Sequence, residues 1–133
     1  MATHISGEFD VKLTPQPPAS GEPAAPGRML LEKQFRGGLA GASTGQMLAI
    51  QTETKGSAGY VAMERFKGVL GERAGSFALQ HSGTMDRGAP QLLITVVPDS
   101  GSGQLRGISG RMMINIVEGK HFYEFDYTLP DAP

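Results

Sequence analysis

Three ionisable residues interrupt stretches of the sequence in which apolar side chains recur at every second position. Lys33, Glu64 and His81 each take the place of one such apolar side chain. The apolar residues that share their spacing are Met29, Leu31 and Phe35 around Lys33, Tyr60, Ala62 and Phe66 around Glu64, and Phe77, Leu79 and Met85 around His81. Because side chains two residues apart lie on one face of a strand, all three are predicted to point into an apolar interior.

A carboxylate beside an imidazole can act as a general base or a proton shuttle, and it can also bind the polar end of a small molecule. Glu64 and His81 belong to consecutive runs, residues 59–70 and 76–85, which we expect to pair as a hairpin. Their side chains are then predicted to lie close together. Three interpretations stay open: a catalytic pair, a site for a small ligand, or a buried polar network that fixes strand register.

The candidate site is defined by the inward faces of these runs and of the last run of the chain. The candidate ligand-binding residues are Glu64, His81, Lys33, Tyr60, Phe66 and Tyr123, and Glu64 and His81 are also the candidates for catalysis. The opposite face of residues 59–70 carries Arg65 and Lys67, and a one-residue bulge would turn that face inward. We favour the face with Tyr60 and Phe66, because these are the larger apolar groups.

Short strands must position these residues. The 133 residues include 19 glycines and 9 prolines, and the glycines separate runs of about 7 to 12 residues, a spacing typical of all-β proteins. The alternation is clearest in residues 5–13 and 123–129. Between them, the predicted strands cover residues 28–35, 44–53, 59–70, 76–85, 91–97, 104–108 and 111–117. No segment combines a helical period with a cap and a helical composition.

Eight or nine consecutive strands with short connectors, such as residues 118–120, favour pairing between neighbours in the sequence. Closure into a barrel removes both exposed edges of such a sheet. The sequence therefore predicts an all-β fold, a single eight-stranded antiparallel up-and-down barrel in one domain of residues 1–133, with a two-sheet sandwich as second choice. Residues 14–27 contain five of the nine prolines and are predicted to form a proline-rich surface loop.

The composition excludes several classes of protein. The chain has no cysteine, so it forms no disulfides or cysteine-ligated zinc site, and its three histidines lack metal-site spacing, so we expect no metal and no other cofactor. A net charge of -1 offers no field for nucleic acid or an anionic membrane. No apolar run approaches the length of a transmembrane helix, and the first residues do not resemble a signal peptide. We therefore expect a cytoplasmic protein.

Two predicted strands, residues 91–97 and 111–117, are apolar on both faces. A barrel that is monomeric in water needs only one apolar face on each strand. An outer apolar strip implies a subunit interface or a cover formed by the proline-rich loop. Of these two, we favour a homo-oligomer.

Six motifs spread along the chain carry a family resemblance. They are FRGGLAGASTG at residues 35–45, ERFKG at 64–68, GSFALQHSG at 75–83, TVVP at 95–98, GSGQL at 101–105 and YEFDYTLP at 123–130. Together they resemble a bacterial family of about this length that is classed as a domain of unknown function and looks related in fold to the allene oxide cyclase barrels. The resemblance implies a single eight-stranded, lipocalin-like barrel. Allene oxide cyclases bind an unsaturated fatty-acid epoxide and steer its ring closure, but none of their functional residues is matched to a position here.

The preferred function is therefore the binding of a small, largely apolar ligand in the barrel lumen, with Glu64, His81, Lys33 and Tyr60 orienting its polar end. One alternative is a cyclase or isomerase that acts on an apolar substrate, with Glu64 or His81 transferring the proton. The other is an oligomeric structural or interaction module with no site in the lumen. The sequence leaves open whether the protein is an enzyme.

Overall fold

The structure is a computed structural model that describes residues 2–17 and 27–130. These residues form nine strands, with no helix among them. The strands are β1 (Thr3–Pro15), β2 (Gly27–Gly37), β3 (Leu39–Gln51), β4 (Ala58–Leu70), β5 (Arg73–Asp86), β6 (Ala89–Val96), β7 (Ser102–Gly103), β8 (Ser109–Val117) and β9 (Lys120–Thr128). No helix in the described ranges is long and apolar enough to cross a membrane.

Eight of the strands close into an antiparallel barrel, as the sequence predicts. Neighbours in the chain pair from β1 to β6, β6 pairs with β8, and β9 pairs with both β8 and β1. The two-residue β7 is an extra strand that pairs with the start of β5 at Gly75 and Ser76. The sandwich alternative is wrong, because the pairing of β1 with β9 joins the two ends of the sheet.

Two of the hairpins turn through pairs of residues with positive φ. Arg87 and Gly88 connect β5 to β6 with φ of 48° and 93°, and Glu118 and Gly119 connect β8 to β9 with φ of 51° and 80°. Two positive values in succession are the mark of a type I′ turn, whose twist matches that of the flanking strands. These short turns keep neighbours in the sequence adjacent in the barrel.

One predicted strand is wrong, and another begins earlier than predicted. Residues 104–108 form turns rather than a strand, since Gly103 and Gly107 take φ of 63° and 84° and Leu105 and Ile108 donate hydrogen bonds back to residues three positions earlier. β3 starts at Leu39 rather than at residue 44. Gly41 lies inside the strand, and it is a glycine because a side chain there would collide with the backbone of β4 at Lys67 and Gly68.

The prediction of a loop at residues 14–27 falls partly outside the described residues. β1 continues through Thr14 and Pro15, which pair with Leu30 and Met29, and β2 begins at Gly27. Proline is tolerated at Pro15 because it lies at the end of its strand. Residues 18–26 lie outside the described residues.

The two ends of the barrel differ in how they are filled. At the end where β2 passes into β3, which we call the plugged end, the inward side chains are almost fully buried. They include Leu39, Leu70, Phe77 and Phe125 from the strands, and Leu105 and Ile108 from the turns after β7. The aromatic rings pack in a chain from Phe9 through Phe35, Phe66 and Phe77 to Phe125, with centroids 5.2–5.7 Å apart. This end carries the hydrophobic core.

Tyr123 on β9 fastens the turn between β2 and β3 at the plugged end. Its hydroxyl donates a hydrogen bond to the carbonyl of Arg36 at 2.8 Å and accepts one from the amide of Leu39 at 2.8 Å. The phenol fits because the facing residue on β1 is Gly7, where a Cβ atom would lie 2.6 Å from the hydroxyl oxygen. Burial, partly offset by the hydrogen bond from Leu39, raises the pKa of Tyr123.

The outer surface of the barrel carries an apolar patch on β3, β4 and β6. The outer apolar patch consists of Leu48, Ile50, Val61, Met63 and Leu93, all exposed. Leu48 pairs with Val61, and Val61 and Leu93 both pair with Ser82 of β5, so the small polar side chain of Ser82 separates Leu93 from the rest of the patch. The outward side chains of β1 and β9 are mostly polar or charged, and include Asp10, Lys12, Glu124 and Asp126.

We expect Tyr123→Phe to lower the free energy of unfolding by about 1–3 kcal/mol, because the buried amide of Leu39 loses its acceptor. Urea unfolding followed by circular dichroism measures the change. Tyr127→Phe is the matched control, since no hydrogen bond joins the Tyr127 hydroxyl to the described residues, and it should change stability by less than about 0.5 kcal/mol. Equal effects of the two substitutions would contradict this role of Tyr123.

We expect the protein to self-associate through the outer apolar patch, because exposed apolar surface of this extent on a barrel favours burial against a second copy. Light scattering should give a mass above that of one chain in the micromolar range. Val61→Lys should shift the mass toward one chain, whereas Thr44→Lys, on the outer face of β3 away from the patch, should leave it unchanged. A wild-type mass of one chain at all concentrations would contradict this expectation.

Candidate functional site

Four polar side chains meet inside the barrel, halfway between its ends. The polar cluster consists of Lys33 on β2, Ser43 on β3, Glu64 on β4 and His81 on β5. Each lies on the inward face of its strand, and each is 5% exposed or less. Arg65 and Lys67 are exposed on the outer face of β4, so the predicted inward face of that strand is confirmed.

Glu64 is the centre of the polar cluster. Its Oε1 accepts hydrogen bonds from Nζ of Lys33 at 2.8 Å and from Nε2 of His81 at 2.5 Å. Its Oε2 accepts a hydrogen bond from the hydroxyl of Ser43. Donors from three other strands therefore converge on one carboxylate, and the predicted proximity of Glu64 and His81 is confirmed.

The contact between Lys33 and Glu64 spans a whole strand, because β3 lies between β2 and β4. Lys33 faces Ser43 on β3, and Glu64 faces Gly45. Gly45 has no side chain to stand between the two charges, and a Cβ atom there would lie 2.7 Å from the Cα of Glu64. The glycine thus lets the carboxylate lean across β3 toward the ammonium group.

The ammonium of Lys33 rests on the aromatic layer of the core. Its Nζ lies 4.9 Å from the ring centroid of Phe9 and 5.8 Å from that of Phe35. A ring face attracts a cation, and the attraction is stronger where water is excluded. The charge of Lys33 is therefore stabilised by one carboxylate and two ring faces.

Glu64 is ionised in the folded protein. Burial alone would raise its pKa, but the hydrogen bond from His81 and the positive charge of Lys33 outweigh burial and lower the pKa from 4.5 to about 2. An ionised carboxylate has no proton to give, so Nε2 of His81 must carry the hydrogen in their shared hydrogen bond. Every fully buried side-chain nitrogen and oxygen in the described residues has a partner.

The remaining predicted site residues lie at different distances from the polar cluster. Tyr60 is half-buried, with its ring centroid 6.4 Å from that of His81, and its pKa is raised by burial and, secondly, by the charge of Glu64. Phe66 lies fully buried between Phe35 and Phe77 in the aromatic chain. The hydroxyl of Tyr123 is bonded to the turn between β2 and β3 and is not brought to the cluster.

Ser43 was missed by the sequence analysis. Its run was predicted to begin one residue later, at residue 44, so no inward position was assigned to it. Strand alternation could have identified Ser43, because it lies two residues before Gly45 and therefore on the same face of β3. This face meets Lys33 and Phe66.

Above the polar cluster, toward the end where β2 begins, the inward side chains become progressively more exposed. We call this the open end, and the space between these side chains the cup. Its wall is formed by Leu13, Met29, Met47, Tyr60, Leu92, Ile114 and Ile116. Ile116 is 65% exposed, although it points inward from β8, whereas Glu64 is 2% exposed. With a rise of about 3.3 Å per residue and a tilt of about 40°, the backbone of Glu64 lies about 10 Å below that of Tyr60 along the barrel axis. His81 lies between these two levels, because it faces Ala62 on β4.

The chemistry available at the base of the cup is that of two charges, an imidazole and a hydroxyl. In the part of the chain that the structure describes, no group of three or more His, Cys, Asp or Glu side chains is placed to hold a metal ion. Nδ1 of His81 has no hydrogen-bond partner among the described residues and is not one of the fully buried atoms. The site can therefore offer an imidazole nitrogen to a molecule in the cup, oriented from behind by Glu64.

We expect Glu64→Gln to lower stability at neutral pH by about 3–5 kcal/mol, since Lys33 is left buried without a counter-charge. Because the folded pKa of Glu64 is below its ordinary value, its stabilising contribution is present above about pH 4.5 and is lost as the pH falls toward 2. Urea unfolding at a series of pH values measures the free energy of unfolding of wild type and variant. The wild type should be the more stable at pH 4.5 and above, and its advantage should decrease by on the order of 3 kcal/mol between pH 4.5 and pH 2.

Two further variants make this prediction specific. Glu32→Gln removes an exposed carboxylate beside Lys33 on β2. The free energy of unfolding of this variant should change with pH in the same way as that of the wild type. Lys33→Met combined with Glu64→Gln removes both charges and should recover most of the lost stability. If the free energy of unfolding of Glu64→Gln changed with pH in the same way as that of the wild type, the assignment of Glu64 as an ionised carboxylate would be contradicted.

Comparison with known proteins supplies a family but no activity. The model of the family described as "Protein of unknown function (DUF3224)" matches residues 5–127. The crystal structure of a protein of unknown function from the DUF3224 family of Shewanella oneidensis MR-1 is similar, with 48% sequence identity, a TM-score of 0.92 and coverage of 99% of this chain and 100% of that chain. No curated protein matches the chain. The chain therefore belongs to the DUF3224 family, whose function is unknown.

Proposed function

We propose that the protein binds a small, largely apolar molecule in the cup, with the polar end of that molecule at the polar cluster. The observation that carries the proposal is an apolar wall that stays accessible above a buried set of charges. Sites for small molecules commonly combine an apolar wall with a few convergent polar groups.

The exposure of the wall favours this function over a polar network that serves only strand register. Leu13, Leu92 and Ile116 point inward, yet each remains exposed. Leaving apolar surface in water costs about 25 cal/mol per Å², and larger side chains on neighbouring strands would have filled the same space. A bound apolar molecule would cover these side chains and recover that free energy.

The outer surface offers a competing place for an apolar molecule. A shallow groove of about 390 Å³ lies next to the outer apolar patch, where it is lined by Leu48, Ile50 and Val61 among others. It contains no charged residue, and its polar side chains are those of Tyr60, Ser82 and Thr84. A test of the proposal must therefore separate the cup from this groove.

We expect the neutral fluorescent probe N-phenyl-1-naphthylamine to bind the protein with increased emission. Met47 and Leu48 are adjacent on β3 and lie on opposite faces, Met47 on the wall of the cup and Leu48 in the outer groove. Met47→Glu places a carboxylate in the cup and should weaken binding at least about tenfold, whereas Leu48→Glu should leave it within about twofold. Fluorescence titration measures both, and circular dichroism checks that both variants fold.

The matched pair makes the result decisive. Loss of binding in Leu48→Glu but not in Met47→Glu would place the probe in the outer groove and overturn the proposal. Absence of any saturable binding to the wild type would overturn it as well.

A further inference from the structure

The hydrogen-bonding capacity that the polar cluster leaves unused limits which polar group a ligand can present to it. Glu64 already accepts three hydrogen bonds, from Lys33, His81 and Ser43. A carboxylate that already accepts three hydrogen bonds gains little free energy from a further donor on a ligand. The carboxylate is therefore a support for its neighbours rather than a direct ligand contact.

Lys33 is equally committed within the protein. Its ammonium is paired with Glu64 and lies against the faces of Phe9 and Phe35. One ammonium and one carboxylate cancel, so the cluster carries no surplus positive charge that would attract an anion. A ligand carboxylate would enter a buried site without a counter-ion, which is costly.

His81 keeps one ring nitrogen unused at the base of the cup. Since Nε2 donates its hydrogen to the ionised Glu64, the neutral form of the ring carries its lone pair on Nδ1. Nδ1 has no partner among the described residues, so it is available to a hydrogen-bond donor in the cup.

Tyr60 adds a second polar group beside this nitrogen. Its ring lies next to that of His81 on the wall of the cup, and no hydrogen bond joins its hydroxyl to the described residues. A phenol can both donate and accept a hydrogen bond. The unused groups beside His81 are thus one acceptor and one group of either kind, without net charge. The ring of His121, on the inner face of β9, packs instead on Phe9.

We propose that the polar end of the ligand is an uncharged hydroxyl group that donates its hydrogen to Nδ1 of His81, with Tyr60 as a second polar contact. The ligand is then an alcohol or phenol with an apolar body, and not a fatty acid. This inference rests on the proposed function, because it specifies the polar end of a molecule bound in the same cup.

Three probes of similar size test the inference by displacement of N-phenyl-1-naphthylamine at pH 8. They are 1-decanol, its isomer 1-methoxynonane, which lacks a donor, and decanoate, which is charged. We expect 1-decanol to displace the dye at about fivefold lower concentration than the ether, because the alcohol donates one additional hydrogen bond. We expect it to act at a concentration at least about tenfold lower than decanoate, because the carboxylate would be buried without a counter-ion. Equal displacement by the alcohol and the ether, or tighter binding of decanoate, would overturn the hydroxyl assignment while the proposed function stands. Failure of the dye and all three probes to bind would instead overturn the proposed function.

The protonation of His81 gives a second readout that needs no change in the cluster. The chain has three histidines, His4, His81 and His121, so His4→Gln and His121→Gln assign the ¹⁵N signals of the His81 ring. At pH 8 we expect Nε2 to carry the hydrogen, and the signal of the bare Nδ1 to move on addition of 1-decanol but not of 1-methoxynonane. A hydrogen on Nδ1 in the free protein, or a signal that 1-decanol leaves unmoved, would overturn the proposal.

Discussion

The carboxylate of Glu64 must be stabilised in an interior that excludes water, and much of the barrel's interior is arranged to meet that need. Burial disfavours the charge, and the donors from Lys33, His81 and Ser43 more than compensate, so that the pKa falls to about 2. Each donor comes from a different strand, so one group ties β2, β3 and β5 to β4. A shift of any of these strands by one residue would turn its polar side chain outward and leave the others unpaired.

The same arrangement divides the barrel into two halves with different properties. Below the cluster, aromatic rings and the turns after β7 fill the plugged end, and the hydroxyl of Tyr123 holds the turn between β2 and β3. Above it, the inward side chains of the open end are apolar and more exposed. The cluster therefore forms the base of a cup rather than the centre of a packed core, and this position gives its unused groups access to a ligand.

The alternation of apolar and polar residues was enough to predict most strands and the inward direction of Lys33, Glu64 and His81. It failed where glycine has a role in packing instead of turning the chain. At Gly41 the close approach of β3 to β4 requires the absence of a side chain. The predicted strand began only after this glycine, so the start of β3 and the role of Ser43 were missed. It failed again at residues 104–108, where Leu105 and Ile108 are buried from consecutive turns, because burial in a turn follows no strand period.

By itself, the sequence determined that the chain is all-β, that its strands follow one another around a barrel, and that three ionisable side chains share the inner face with apolar ones. These features depend on local periodicity and turn chemistry, which neighbouring residues carry. Only the tertiary structure decided which of their atoms meet. Lys33 and Glu64 are 31 residues apart and lie on strands separated by β3, and their contact depends on the stagger between strands and on the space that Gly45 leaves open. The difference between the plugged and the open end likewise depends on how distant segments pack, which no local pattern records.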